Sequence, residues 1–516
     1  GDTAQGELDL SQALELDPGL ANDPRYESAE ITLIQGYLRE AKFDEALAAI
    51  ETWKSRHPGD KTGLVMEGVA LAGKGDEAGA RAAFDRALEM QPGAPDASAN
   101  LAILDIRAGD LAGAEEILQR SLDGNPDDLR ILLLLAQVAE KSGARDKTRD
   151  WLERTVKAHP DNPSARIFLA RLYFSQGEPD KALDAIEPVL RTAPDNVAAL
   201  EVAARSRMQA DRISEAVSTY ERLVQKAPDV AQPRLELAQA YRLSGDPARA
   251  RRSAEAALAI APDDPTVRHL LAELLIEQSD ATAAEPIVAN LESDFPNIAE
   301  VKTLRARLTL LQGDVAGALA HFQAARQIRD STDLVIAVAR TQYRLGELDA
   351  AIQTLEDWIA RQPQDIAARL ELHGYYLADG QEGPAEANLR QVLAHDPDAW
   401  IARNNLAWML YARGDAAAAL PEAERANELA PDNPVVMDTL GVVLLELGET
   451  ERALRLIRRA ADRLPDNPQV AYHLARAYAQ ADRKDEAREI LTAVLAKHQS
   501  FDERDRAEAL LTELGG

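Results

Sequence analysis

The stretch that comes nearest to a catalytic motif is GVALAGKG, Gly68 to Gly75. A phosphate-binding loop reads GxxxxGK followed by Ser or Thr, because its backbone N–H groups and its lysine contact phosphates while the hydroxyl holds Mg²⁺. In this sequence the hydroxyl position is Gly75, and no strand pattern precedes the stretch. We therefore expect Gly68 and Gly75 to have structural roles and expect no nucleotide site.

The sequence also lacks the residue patterns that are typical of metal sites and of catalytic nucleophiles. The eight histidines form neither an HExxH motif nor a short cluster with metal-ligand spacing. The absence of cysteine excludes disulfides, thiolate zinc sites and a cysteine nucleophile. Because 87 of the 516 residues are acidic, neighbouring carboxylates are expected on any solvated face. The sequence therefore predicts a protein that is not an enzyme and that uses no metal or cofactor.

Arginines in the middle of the chain are the first candidate binding residues. A guanidinium group can form paired hydrogen bonds to a carboxylate or to an anionic sugar. The alternative is that these arginines pair with acidic residues of the same chain, such as Glu201 and Glu273. The candidate set consists of Arg171, Arg205, Arg242, Arg307, Arg340 and Arg344, together with Tyr343.

A second candidate set begins in the stretch RNNLAWMLYARGD, residues 403–415. Asn404, Trp408 and Tyr411 have the spacing i, i+4, i+7, which places them on one face of a helix. The alternative for Trp408 is packing against a neighbouring element, as we expect for Trp53 and Trp358. The set is continued further along the chain by Asp438, Tyr472 and Arg476.

The elements that position these residues follow a regular spacing. Prolines stand at positions 58, 92, 126, 160, 194, 228, 262 and 296, and again at 363, 397, 431 and 465. Each is 34 residues from the next within its series, and between them lie two apolar helical patterns joined by a short turn. Asn-Pro pairs such as Asn162-Pro163 predict an N-cap followed by the first helical residue. Small residues such as Gly68 and Gly441 mark the positions of closest helix approach.

This pattern resembles the tetratricopeptide repeat (TPR) family. The resemblance implies an all-α, right-handed superhelical solenoid of about fourteen helix-turn-helix repeats. It also implies a concave groove, lined by the first helix of each repeat, in which protein or peptide partners bind. Both candidate sets fall on groove-facing positions of those first helices. The carboxylate clamp and the asparagine ladder known from other TPR proteins are not matched here.

The spacing also predicts the boundaries of the repeats. Residues 1–18 match the second helix of a truncated repeat, 19–26 a long junction, 27–499 fourteen repeats and 500–516 a capping helix. Ser500 to Glu503 has the pattern of a capping box for that last helix. Near residues 329–333 the proline is missing and the spacing is one residue short, which indicates either a bend or a tolerated loop variation. Because the chain begins inside a repeat, we expect a longer protein with any targeting signal upstream.

The net charge of −29 makes nucleic acid and anionic membranes unfavourable partners. The richest apolar run, residues 131–138, is too short to span a bilayer. A membrane contact is therefore expected only through an anchor upstream of the sequence.

The phrases NNLAW, APDNPxxxDTLG and YHLAxA between residues 400 and 516 resemble a second, narrower family. This is the bacterial TPR-repeat lipoprotein that accompanies the PEP-CTERM/exosortase system of exopolysaccharide producers. The resemblance implies a scaffold at the periplasm or cell envelope, with secretion components as partners in exopolysaccharide assembly, export or protein sorting. Two alternatives stay open: direct binding of an anionic polysaccharide in the groove, and a cytoplasmic regulatory adaptor.

Overall fold

The computed structural model describes residues 24–515 together with Gly6, Asp9 and Gln12. In this part of the chain there are 29 helices and no strand, so the predicted all-α class is confirmed. The predictions for residues 1–18 and 19–23 otherwise lie outside the described residues. The chain divides between Pro262 and Asp263 into two compact units, which we call unit 1 and unit 2.

Unit 1 contains fourteen of the described helices, and each odd-numbered helix packs against the even-numbered helix that follows it. The helix bounds are α1 Pro24–Arg39, α2 Phe43–Arg56, α3 Lys61–Lys74, α4 Glu77–Met90, α5 Pro95–Ala108, α6 Leu111–Leu122, α7 Leu129–Lys141, α8 Arg145–Ala158, α9 Pro163–Ser175, α10 Pro179–Thr192, α11 Val197–Gln209, α12 Ile213–Lys226, α13 Ala231–Leu243 and α14 Pro247–Ile260. Helix α1 begins inside the predicted junction 19–26, since residues 24–26 are helical.

Unit 2 continues the same alternation and ends in a single additional helix. Its helices are α15 Pro265–Glu277, α16 Ala281–Asp294, α17 Ala299–Leu311, α18 Val315–Ile328, α19 Thr332–Arg344, α20 Leu348–Arg361, α21 Ile366–Ala378, α22 Glu382–His395, α23 Trp400–Ala412, α24 Ala416–Leu429, α25 Pro434–Glu446, α26 Thr450–Arg463, α27 Pro468–Gln480, α28 Lys484–Lys497 and α29 Arg504–Glu513. Only residues 329–331 join α18 to α19, and a bend there stays a prediction.

The start of many first helices is fixed by a side-chain cap. Asn162 accepts a hydrogen bond from the backbone N–H of Ala165 at 2.9 Å, and Asn433 accepts one from Val435 at 2.9 Å. In both cases a proline follows at the first helical position, where its missing N–H costs nothing. The predicted Asn-Pro caps are confirmed.

The two helices of one repeat approach most closely where the first helix carries a small residue. A Cβ added at Gly68 would overlap the ring of Phe84, and one added at Gly441 would overlap the side chain of Ile457. Gly75 ends α3 in the left-handed region with φ of 86°, a conformation that glycine adopts without strain. GVALAGKG is therefore a packed helix and its end, as predicted.

Successive repeats are joined by a recurrent hydrogen bond. A tyrosine hydroxyl on a first helix donates at 2.6 Å to a glutamate on the second helix of the preceding repeat, 20 residues earlier. The pairs are Tyr173 with Glu153, Tyr241 with Glu221, and Tyr376 with Glu356. Trp53 and Trp358 are buried in the core, as predicted, and their indole N–H groups donate to the N-cap residues Asp60 and Asp365.

The last helix does not begin as the sequence predicts. Helix α29 starts at Arg504, and its N-cap residue is Glu503 rather than Ser500. The predicted capping box is wrong because the carboxylate of Glu503 accepts a hydrogen bond from His473 instead of a backbone N–H. Glu503 is thereby buried, with 8% of its surface exposed.

A polar pocket in unit 2

Two of the three candidate arginines of unit 1, Arg171 and Arg205, lie beside carboxylates of first helices. Arg171 on α9 lies 3.8 Å from Glu201 on α11. Arg205 on α11 contacts Glu236 on α13 at 2.6 Å and Glu201 at 2.9 Å, and its hydrogen bond with Glu236 raises the pKa of Arg205. Arg242 is half-buried on α13. The structure thus supports the alternative of internal pairing for Arg171 and Arg205.

The candidate arginines of unit 2 follow the same pattern with one exception. Arg307 on α17 lies 3.5 Å from Glu273 on α15. Arg340 on α19 makes paired hydrogen bonds of 2.9 and 2.7 Å to Glu371 on α21. Arg344 is exposed and makes no ion pair with any described residue. A ligand of Arg307 or Arg340 would have to compete with carboxylates already in place, so ligand binding by these residues stays a prediction.

An exposed tyrosine stacks on a buried one beside Arg340. Tyr343 is 46% exposed, and its ring stacks on that of Tyr375 with 5.1 Å between centroids. The hydroxyl of Tyr375 donates to Glu371 at 2.8 Å, and this hydrogen bond holds the ring of Tyr375 in place. Of the first candidate set, Tyr343 and Arg344 are thus the exposed members that bear no ion pair.

A pocket of about 380 Å³ lies between the first helices α21, α23 and α25 and the start of α27. A Cβ at Gly374 on α21 would meet no atom within 4 Å, so this glycine leaves the pocket open. We call it the unit 2 pocket; it is lined by His373, Gly374, Leu377, Asn404, Asn405, Trp408, Met409, Val435, Asp438, Thr439, Leu464, Asn467, Gln469 and Val470.

Two buried acceptors of the unit 2 pocket have no hydrogen-bond partner. Asn404 is 6% exposed and Asp438 is 7% exposed. Oδ1 of each side chain is buried and accepts no hydrogen bond. A buried acceptor without a donor costs about 1–3 kcal/mol, so these two atoms are candidates for contact with a ligand or solvent. The predicted residues Asn404, Trp408 and Asp438 are therefore brought together at one pocket.

The other oxygen of Asp438 belongs to a buried charge network. Its Oδ2 accepts a hydrogen bond from Nδ1 of His473 at 2.8 Å, and Nε2 of His473 donates to Glu503 at 2.8 Å. Burial alone would lower the pKa of His473, but the carboxylates of Asp438 and Glu503 raise it to about 9. Arg506 lies 3.2 Å from Glu503. Two carboxylates and two cations thus balance one another beneath the pocket.

His473 and Glu503 were not predicted as site residues. The sequence feature that could have identified His473 is its position next to Tyr472, on a helix that otherwise presents apolar residues to the core. A buried histidine at neutral pH needs hydrogen-bond partners, and carboxylates are the partners that keep it charged. Glu503 lies 30 residues away in sequence, and only the packing of α29 brings it near.

The remaining residues of the second candidate set, Tyr411, Tyr472 and Arg476, lie next to the pocket and not in its lining. The indole of Trp408 lies 5.5 Å from the ring of Tyr411 and 5.9 Å from that of His473. Arg476 donates to the Tyr411 hydroxyl at 2.8 Å. Tyr472, predicted to face the groove, is only 5% exposed and does not line the pocket.

Within residues 24–515, no group of three or more His, Asp and Glu side chains has a geometry that could hold a metal ion. None of the described helices is both long enough and apolar enough to cross a membrane.

Comparison with known proteins gives matches along most of the chain. A tetratricopeptide repeat family model matches residues 71–138, 106–161, 242–308, 309–372 and 444–514, more than half of the chain. A second model of the same description matches 31–95, 201–265 and 375–434. A model of anaphase-promoting complex, cyclosome, subunit 3 matches residues 146–223.

Similar solved structures include the APC/C hetero-tetramer Cut9-Hcn1, with 14% identity and a TM-score of 0.40, covering 93% of this chain and 95% of that chain. They also include Naa15/Naa10 bound to HypK-THB, with 14% identity and a TM-score of 0.38, covering 98% and 93% of the two chains. No curated protein matches the sequence significantly.

Proposed function

The chain belongs to the tetratricopeptide repeat family, and we propose that it is a non-enzymatic scaffold that holds a segment of a partner protein in the unit 2 pocket. The observation that carries this proposal is the pair of unbonded, buried acceptors of Asn404 and Asp438 at one pocket. A polypeptide supplies N–H donors from its backbone and side chains. Because α23 and α25 hold both acceptors rigidly, little conformational entropy is lost on binding.

The surroundings of the unit 2 pocket suit an extended segment. Gly374 lines this pocket and also a neighbouring hollow formed by Tyr343, Tyr375 and Leu370. A segment with one side chain in the pocket can therefore place another residue on the exposed ring of Tyr343. Ligand sites of this kind combine apolar walls with a few fixed polar groups.

A peptide library displayed on phage and panned against the full chain tests the proposal. Gly374→Trp fills the pocket, while the matched control Gly383→Trp adds the same side chain on the exposed face of α22, where a Cβ meets no atom within 4 Å. We expect wild type and Gly383→Trp to select the same peptides, and Gly374→Trp to lose them. Selection of the same peptides by Gly374→Trp, or of none by the wild type, would contradict the proposal.

A second candidate function is direct binding of an anionic polysaccharide at α19. The exposed ring of Tyr343 and the unpaired guanidinium of Arg344 support it. A titration with an acidic polysaccharide should then give binding that weakens in Arg344→Glu and at higher salt. Equal behaviour of Arg344→Glu and wild type, or absence of binding, would exclude this candidate.

We further propose that the partner belongs to exopolysaccharide assembly, export or protein sorting at a bacterial envelope, with the protein in the periplasm. The support is the resemblance of the phrases in residues 400–516 to the PEP-CTERM/exosortase-associated lipoprotein. Fractionation of cells that produce the full-length protein tests the location. Recovery in the cytoplasm would favour the regulatory adaptor instead.

A further inference from the structure

We propose that the unit 2 pocket selects a basic side chain, a lysine or an arginine carried by the partner segment. This inference rests on the proposed function and names the chemistry that the pocket recognises. It depends on three features of the pocket: its charge, its hydrogen-bond acceptors that have no donor, and its apolar walls.

The charge of the lining favours a cation. Asp438 is the one carboxylate among the fourteen described lining residues, and none of them is a lysine or an arginine. The second potential cation, His373, stays neutral at neutral pH because burial lowers its pKa. A ligand in the pocket therefore meets one carboxylate, which is paired from below with His473, and no lysine or arginine of the lining.

Several hydrogen-bond acceptors near this charge are unused. Oδ1 of Asp438 and Oδ1 of Asn404 have no donor. The hydroxyl of Thr439 already donates to the carbonyl of Val435 at 3.0 Å, so only its lone pairs remain. Nδ1 of His373 donates to the carbonyl of Ala385 at 3.3 Å, which leaves its other nitrogen an acceptor. An ammonium or guanidinium group has several donors and no acceptor, and it complements this set.

The walls fit the aliphatic stem of a basic residue. Leu377, Met409 and Val470 supply apolar surface, and the partly buried indole of Trp408 stands beside them. Lysine and arginine bury their methylene groups against such surface while the charged head reaches a polar partner. A cation near the face of an indole gains further attraction.

The orientation of the Asp438 carboxylate is fixed from below. His473 fixes one carboxylate oxygen of Asp438 at 2.8 Å and is itself fixed by Glu503. With Arg506 beside Glu503, the network beneath the pocket is balanced without a ligand, and Oδ1 of Asp438 is left for an additional donor. An acidic segment would bring a second negative charge to this carboxylate, and no lysine or arginine of the lining would offset it.

Peptides selected by the wild-type chain test the inference without altering the protein. We expect them to share a lysine or an arginine at one position, and its replacement by norleucine, which keeps the aliphatic stem, to weaken binding at least about tenfold. Replacement by glutamate should abolish binding. Asp438→Asn should bring the affinity of the lysine peptide down to that of the norleucine peptide.

The outcomes separate this inference from the proposed function. If the wild type selects peptides that Gly374→Trp loses but they lack a shared basic residue, or if norleucine binds as well as lysine, the inference is overturned while the pocket remains a peptide site. If no peptide depends on the pocket, the proposed function itself fails. Because the norleucine comparison uses wild-type protein, a folding defect of Asp438→Asn does not affect it.

Discussion

Nδ1 of His473 lies 2.8 Å from Oδ2 of Asp438, and this contact joins the core of unit 2 to the floor of its pocket. His473 has no exposed surface, and Asp438 is 7% exposed. A buried carboxylate that accepts a hydrogen bond from a buried imidazolium is fixed in orientation. The same histidine reaches Glu503 at the start of α29, so the end helix and the pocket share one charge network.

The pH dependence of stability should report on His473. Asp438 and Glu503 outweigh burial and raise its pKa to about 9, compared with about 6.5 in an unfolded chain. Because the folded pKa is the higher one, the stabilisation is complete below about pH 6.5 and is lost as pH rises through about 9. We expect the thermal unfolding temperature from calorimetry to fall over this range in the wild type, and to fall less in His473→Gln. Parallel curves for the two proteins would show that other groups cause the decline.

Removal of Glu503 should loosen the end of unit 2. The change Glu503→Ala leaves the imidazolium of His473 with one carboxylate, and breaking a buried ion pair costs about 3–5 kcal/mol. Hydrogen–deuterium exchange should accelerate in α29 and α27 and stay unchanged in unit 1. Asp505→Ala is the matched control, since Asp505 is an exposed carboxylate in the same helical turn, and it should change stability by less than about 0.5 kcal/mol. Similar exchange in both variants would exclude the structural role of Glu503.

Two helical glycines should respond to alanine with opposite signs. In Gly441→Ala the new methyl group overlaps Ile457, and overpacking of this kind costs about 1–3 kcal/mol. In Gly374→Ala the methyl group enters open space, and the better helix propensity of alanine contributes up to about 1 kcal/mol. Chemical denaturation should therefore show a less stable Gly441→Ala and a more stable Gly374→Ala. The same sign for both changes would contradict the packing described for α25.

The repeat architecture is predictable from sequence because its determinants are local. The 34-residue spacing gives each helix its core face, and an asparagine such as Asn433 caps the residues directly after it. The face shared by Asn404 and Trp408 follows from the same spacing. These features need no knowledge of which helices come near each other in space.

The chemistry of the site was only partly predictable because its partners come from separate helices. Whether Arg340 faces a ligand or Glu371 depends on the distance between α19 and α21, which the sequence leaves open. Tyr472 has a groove-facing spacing but is buried, since the residues around Glu503 lie against α27. Long-range packing, and not helical periodicity, decides these two cases.

The unsatisfied amide of Asn404 leads to a prediction that separates function from stability. In Asn404→Leu a buried acceptor without a partner is replaced by an apolar group, so the free energy of unfolding should rise by about 1 kcal/mol, while the selected peptides bind more weakly. Asn388 is equally buried, but it accepts from Arg369 at 3.0 Å and donates to the Arg369 carbonyl. Asn388→Leu should therefore lower stability. Denaturation and peptide titration measure both effects, and a loss of stability in Asn404→Leu would show that its amide is structural.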